Sequence, residues 1–121
     1  MVEIDNGIDL NKMPIIYWSI ETKMSCLQRH IIVYSLMYYQ FSQSCVSDRF
    51  YDAVSRQLCE LRKKYPEEYK RTQYYYAMYD FDGTTGFDIQ SRLNKNDLEK
   101  LTRIAKTVLV NWQSVGGKVL W

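Results

Sequence analysis

Residues 18–65 read WSIETKMSCLQRHIIVYSLMYYQFSQSCVSDRFYDAVSRQLCELRKKY, from Trp18 to Tyr65, and the fold turns on this stretch. In its first half Ile20, Met24, Leu27, Ile31, Tyr34, Tyr38 and Phe41 recur at steps of four and three. That is the period of one helix face, because a turn of about 3.6 residues brings such positions to the same side. Ser19 is the predicted N-cap, and Ser42-Gln43-Ser44 breaks the pattern. A second helix is expected after Ser47, again a capping residue, with Asp48 in the first turn where the helix dipole favours an acid. Its stripe is Tyr51, Val54, Leu58, Leu61 and Tyr65, and Arg62-Lys63-Lys64 lies at the C-terminal end, as the dipole prefers. Pro66 stops this helix or opens a new turn. Two amphipathic helices with a short connection predict an antiparallel helical hairpin.

Outward from the hairpin, a third long helix is predicted over residues 96–114. Asn96 would cap it, with Glu99 completing a relative of the capping box, and Gly116-Gly117 would end it. Its apolar face is Leu98, Leu101, Ala105, Val108, Leu109 and Trp112. Between hairpin and helix, Glu67-Glu68 could begin a short helix. Gln73-Tyr74-Tyr75-Tyr76-Ala77-Met78-Tyr79 reads as a strand on its aromatic content, and Asp82-Gly83-Thr84-Thr85-Gly86 as a loop. A short β-hairpin within 73–90 follows. Residues 1–17 read as an N-terminal arm, turn-rich at Asp5-Asn6-Gly7 and closed by Pro14. The expected fold is therefore mainly α: one domain over 18–121, an antiparallel helical hairpin packed on a C-terminal helix.

A chain of 121 residues suits one domain, and 46% hydrophobic with 25% charged residues is ordinary for a globular protein, which excludes disordered and low-complexity classes. No apolar run reaches the roughly 18 residues of a membrane span, and the acidic, turn-rich start predicts no signal peptide. The net charge of +2 is too balanced for a dedicated duplex binder. Cys26, Cys45 and Cys59 form no CxxC pair, so three reduced thiols in a cytoplasm are expected. With His30 the one histidine, no ordinary zinc ligand set is present. Tyrosine is the compositional outlier at 11 residues, and tyrosine is favoured at interfaces and ligand pockets as well as in cores.

The tyrosines fall in a pattern. The run Tyr38-Tyr39-Gln40-Phe41-Ser42-Gln43-Ser44-Cys45-Val46-Ser47-Asp48-Arg49-Phe50-Tyr51-Asp52 is followed by Leu58-Cys59-Glu60-Leu61 and Lys64-Tyr65-Pro66-Glu67. Over residues 24–68 this resembles the N-terminal Ia domain of the NAD-dependent bacterial DNA ligases, a helical hairpin of the form YY…(I/V)SDxxYDxLxxELxxLxxxYPE. The resemblance implies that Tyr38, Tyr39, Asp48, Tyr51 and Asp52 grip the nicotinamide mononucleotide (NMN) half of NAD. The residue types suit that task. A cationic nicotinamide ring favours an aromatic face, and carboxylates accept hydrogen bonds from ribose hydroxyls or an amide. Asp48 and Asp52 share a helix face, with Tyr51 on the adjoining one. Tyr34 and Tyr39 stand where the family often carries histidines, and the connection lacks its Asp-x-Pro. The structural alternative makes Tyr38 and Tyr51 part of the hairpin core and Asp48 a dipole partner. The adenylating KxDG motif is absent, so no lysyl-AMP of the ligase kind is expected and the chain is read as a non-enzyme with no required cofactor.

Three further features carry weaker signals. Asp80-Phe81-Asp82-Gly83-Thr84 spells the DxDGT of haloacid-dehalogenase-like phosphatases, but the sequence that follows has room for neither the parallel sheet nor the downstream motifs, so a turn is expected. His30 precedes the core position Ile31 and reads as a surface residue. Arg56, Arg62, Lys63, Lys64, Lys70 and Arg71, interleaved with Tyr65 and Tyr69, could meet nucleic acid but read better as a solvated helix end. The whole layout also resembles small ligase-related proteins of phages and prophages of Gram-positive bacteria. On that resemblance the first functional expectation is a small phage-type binding protein in the host cytoplasm. It would inhibit or modulate a host protein, a defence nuclease or NAD-using effector, through protein–protein contacts. The alternatives are an NMN- or NAD-binding protein that retains the Ia pocket, and a weak nucleic-acid accessory factor; no membrane role is expected.

Overall fold

Ser19 starts the first helix as its position predicts, its side-chain oxygen accepting the Thr22 backbone N–H at 3.2 Å. The computed structural model describes residues 19–83 and 88–114. Regular structure within them is helical: α1 (Ile20–Phe41), α2 (Asp48–Lys64), α3 (Pro66–Tyr69), α4 (Tyr75–Met78), α5 (Ile89–Arg92) and α6 (Lys95–Ser114). The N-terminal arm, Gly86 and the Gly116-Gly117 terminator lie outside the described residues.

α1 is the central element, packed against both α2 and α6 and touched by α3 and α5. That position explains a departure from the simple stripe. Every residue from Ile31 to Met37 is buried, because neighbours cover α1 on more than one side. Met24, Leu27, Ile31, Ile32, Leu36 and Met37 are nearly inaccessible, and burying such side chains contributes about 1.5–3 kcal/mol each. Tyr38 has the core spacing but is 60% exposed, so the reading of it as hairpin core is overturned. The last turn of α1 carries this side chain past the packed middle.

Ser47 caps α2 by accepting the Phe50 N–H at 3.1 Å, and the helix buries Phe50, Val54 and Leu58 against α1. Pro66 opens a new turn, α3, rather than only ending α2. The expected β-hairpin does not form: among the described residues of 73–90 the structure is two short helices with turns between. From Gln73 to Phe81 the buried positions are Tyr74, Ala77, Met78 and Phe81, which is a helical spacing. The carbonyls a strand would offer a partner are taken. Tyr69 donates its hydroxyl to the Met78 carbonyl at 2.6 Å, and the Arg62 guanidinium donates to the Phe81 and Tyr79 carbonyls at 2.6 and 2.8 Å.

α6 begins two residues earlier than the Asn96 cap would place it. Asn94 is the residue that accepts, taking the Asp97 N–H on its side-chain oxygen at 2.7 Å and the Leu98 N–H on its carbonyl at 2.9 Å. Leu101, Ala105 and Leu109 are buried, Leu98 and Trp112 half-buried, and Val108 is 36% exposed at the edge of the face. The hairpin packed on a C-terminal helix stands as expected.

Candidate functional site

The end of α1 and the start of α2 meet across Ser42–Ser47. Ser42 adopts a left-handed conformation (φ 54°), and the Ser42 and Gln43 N–H groups both turn back to the Met37 carbonyl, which closes α1. Ser44 then clamps the connection, accepting the Val46 N–H at 3.3 Å and donating to the Val46 carbonyl at 2.7 Å. The chain therefore returns at once, and the two helix ends enclose a cavity of about 250 Å³.

Tyr38, Tyr39, Asp48, Tyr51 and Asp52 all line this one cavity. To them the structure adds Tyr34 and Ser35 from α1 and Ser44, Val46 and Ser47 from the connection. The added α1 residues had a legible signal: Ser35 lies three and four residues before Tyr38 and Tyr39, hence on the same face.

The side chains divide into a fixed floor and an open rim. Tyr34 is buried, its ring edge-on to Phe50 at 5.7 Å and to His30 at 5.9 Å. Ser35 spends its hydroxyl proton on the Ile31 carbonyl at 2.8 Å, so the Tyr51 hydroxyl, 3.3 Å away, is the donor in that pair. Burial pushes the Tyr34 and Tyr51 phenols above their ordinary range, which keeps both protonated at neutral pH. At the rim Tyr38 and Tyr39 stand perpendicular, ring centres 5.0 Å apart, with much of both faces open to solvent. Asp48 and Asp52 are exposed on the first turns of α2. The arrangement offers aromatic surface, hydroxyls and two carboxylates around one small hollow.

The other motifs fall elsewhere. Asp80 is gripped by the Arg92 guanidinium at 2.5 and 3.2 Å, and Gly83 turns with φ +91° against Cys59, where a side chain would meet the sulfur at 3.2 Å. The DxDGT segment is thus a turn laid on α2, as expected for its described part; Thr84 lies outside the described residues. Much of the basic cluster is engaged within the chain. Arg62 holds carbonyls, Arg71 pairs with Glu21, Lys70 with Glu67, and Lys64 lies over the Tyr65 ring. Cys26, Cys45 and Cys59 are free thiols.

His30 is not a surface residue. Its ring is half-buried, and Nδ1–H donates to the Cys26 carbonyl at 2.8 Å. Desolvation is the larger effect and lowers its pKa, despite the opposing hydrogen bond. A histidine whose folded pKa is lowered binds fewer protons folded than unfolded, so its contribution is present above the unfolded value near 6.5 and is lost as pH falls toward the folded value. Urea denaturation of wild type and His30→Gln from about pH 7 down to 5 should therefore show a shallower loss of stability in the variant.

The fold and cavity together define a class: a helical-hairpin domain that presents tyrosines and paired carboxylates where the two helix ends meet. Residues 18–77 match the family model of the DNA ligase-like, N-terminal NAD+-binding domain, and this half of the chain belongs to that family. The match takes in the hairpin and runs on through α3 into α4. No curated protein and no solved structure matches the chain significantly. No helix of the described residues is long and apolar enough to cross a membrane.

Proposed function

We propose that the cavity between α1 and α2 binds the nicotinamide-ribose portion of an NAD-type ligand, as a binding site without turnover. The observation that carries this reading is convergence: residues drawn from two helices by the family pattern, Tyr38, Tyr39, Asp48, Tyr51 and Asp52, line a single hollow. Tyrosine faces attract the cationic ring, and the carboxylates accept from ribose hydroxyls or the carboxamide. The volume of about 250 Å³ lies just under the roughly 300 Å³ at which drug-sized sites begin, so it suits a nucleoside-sized group rather than a whole dinucleotide. Membership of an NAD+-binding domain family points the same way.

On sequence grounds this reading is the alternative, and the convergence of its residues on one hollow supports it.

The test is an NMR titration with millimolar nicotinamide mononucleotide and, separately, nicotinamide riboside. Shift changes centred on residues 38–52 and lost in Asp48→Ala are expected. Flat spectra with both ligands would overturn the proposal.

A further inference from the structure

Building on that reading, we propose that the pocket is selective for phosphate-free, cationic nicotinamide nucleosides. Nicotinamide riboside and similar N-ribosyl pyridinium ions would bind in preference to their 5′-phosphates.

The observation is the sign of the charge. Among the described residues the cavity lining holds two carboxylates, Asp48 and Asp52, and no lysine, arginine or histidine. A 5′-phosphate monoester has its second pKa at roughly 6, so at neutral pH it turns the singly positive riboside into a net anion. Such an anion entering this cavity would meet two like charges and only hydroxyls to oppose them.

One feature of the rim could favour a phosphate, the N-terminus of α2. That end is partly used. Ser47 takes the Phe50 N–H on its side chain and the Tyr51 N–H on its carbonyl, and Asp48 sits in the first turn against the dipole. Of the cations of α2, Arg49 follows Asp48 in the first turn without lining the cavity, Arg56 lies midway, and Arg62 and Lys63 at the opposite end line a separate cavity together with Lys70. Within the cavity lining itself the charge is acidic, with Asp48 and Asp52 beside the tyrosines and none of these cations among the lining residues. The riboside carries what this lining can hold: a cationic ring for the aromatic faces and carboxylates, and neutral hydroxyls for the serines and Tyr51.

The experiment compares three ligands by isothermal titration calorimetry at low ionic strength: nicotinamide riboside, nicotinamide mononucleotide and the uncharged dihydronicotinamide riboside. The riboside is expected to bind about tenfold more tightly than the mononucleotide, with the ratio shrinking as salt is added. The dihydro form, equal in size but without the ring charge, should lose most of the affinity. Asp48→Asn should narrow the gap between riboside and mononucleotide. Equal or tighter mononucleotide binding would overturn the selectivity while leaving the nicotinamide site standing. No binding by riboside or mononucleotide would remove the site itself, and the selectivity with it.

Discussion

Gln28→Ala is expected to lower the unfolding free energy by about 3 kcal/mol, the largest single effect on stability outside the apolar core. Gln28 is 0% exposed in the middle of α1. Its amide nitrogen donates to the Thr72 hydroxyl at 2.8 Å, and its amide oxygen accepts the Tyr74 backbone N–H at 3.1 Å. Thr72 passes the chain on, donating to the Tyr69 carbonyl at 2.7 Å. Ser25, one turn earlier on α1, accepts the Gln73 N–H at 3.0 Å. Residues 69–74 are therefore held to α1 by polar bonds, those of Gln28 buried, and Tyr69 and Tyr74 pack in the core beside them. Alanine leaves the Tyr74 N–H buried without this acceptor, at about 1–3 kcal/mol, and opens a cavity besides. Gln28→Met should recover the packing share and not the hydrogen-bond share, placing it between alanine and wild type. Arg71→Ala, which removes an exposed ion pair with Glu21, is the control and should stay within about 1 kcal/mol of wild type. Denaturant titration with an unchanged slope measures all three. A Gln28→Ala protein within about 1 kcal/mol of wild type would mean the segment is not held this way.

That same polar tether shows why part of the fold was illegible in the sequence. α1, α2 and α6 announce themselves because long helices repeat their apolar positions over several turns, and serines at 19 and 47 cap the first two as such residues do. The segment Gln73–Tyr79 misleads because tyrosine's preference for strands reflects packing on a half-buried pleated surface, and no such surface exists among the described residues. Each aromatic meets a different environment. Tyr74 is in the core, and Tyr79 lies under Arg92. Tyr76 donates to Asp97, and burial with that acid raises its hydroxyl pKa to about 12. The helical spacing of Tyr74, Ala77, Met78 and Phe81 was present in the sequence, hidden by the stronger aromatic signal. The start of α6 failed for a related reason. Asn94 and Asn96 both precede an acid by three residues, and the choice between them is tertiary: the Tyr76 hydroxyl accepts the Asn94 N–H at 3.2 Å and holds Asp97.

The pocket was more legible than the core around it. Its rim residues belong to short, ordered patterns on two helix ends, and the sharp return at Ser42–Ser47 brings those ends together whatever the distant packing does. Its floor, Tyr34 and Ser35, was harder to read, since the helical spacing that sets them below Tyr38 and Tyr39 is also that of ordinary buried helix interior.

Replacing both Asp48 and Asp52 by asparagine is expected to weaken nicotinamide riboside binding about a hundredfold while leaving the fold in place. Asparagine keeps the size and an acceptor oxygen but removes the charge, so the change isolates electrostatics from shape. A hydrogen bond to a charged group contributes roughly 1 kcal/mol more than a neutral one, and each carboxylate also attracts the ring cation. Two such losses sum to roughly 3 kcal/mol, and every 1.4 kcal/mol is about tenfold in affinity. The cost to stability is small by comparison. Asp48 loses its favourable place in the first turn of α2, about 0.3–1 kcal/mol, and the Ser47 cap stays; Asp52 is exposed one turn on. Calorimetric titration and thermal melting on the same samples separate the two effects: affinity should collapse while the melting temperature moves by only a few degrees. Tyr38→Ala gives the complementary reading, since Tyr38 is an exposed aromatic whose loss removes ring contact but no charge. If the double variant bound the riboside as tightly as wild type, the tyrosines alone would be making the site, and the acidic face of α2 would have no part in choosing the ligand.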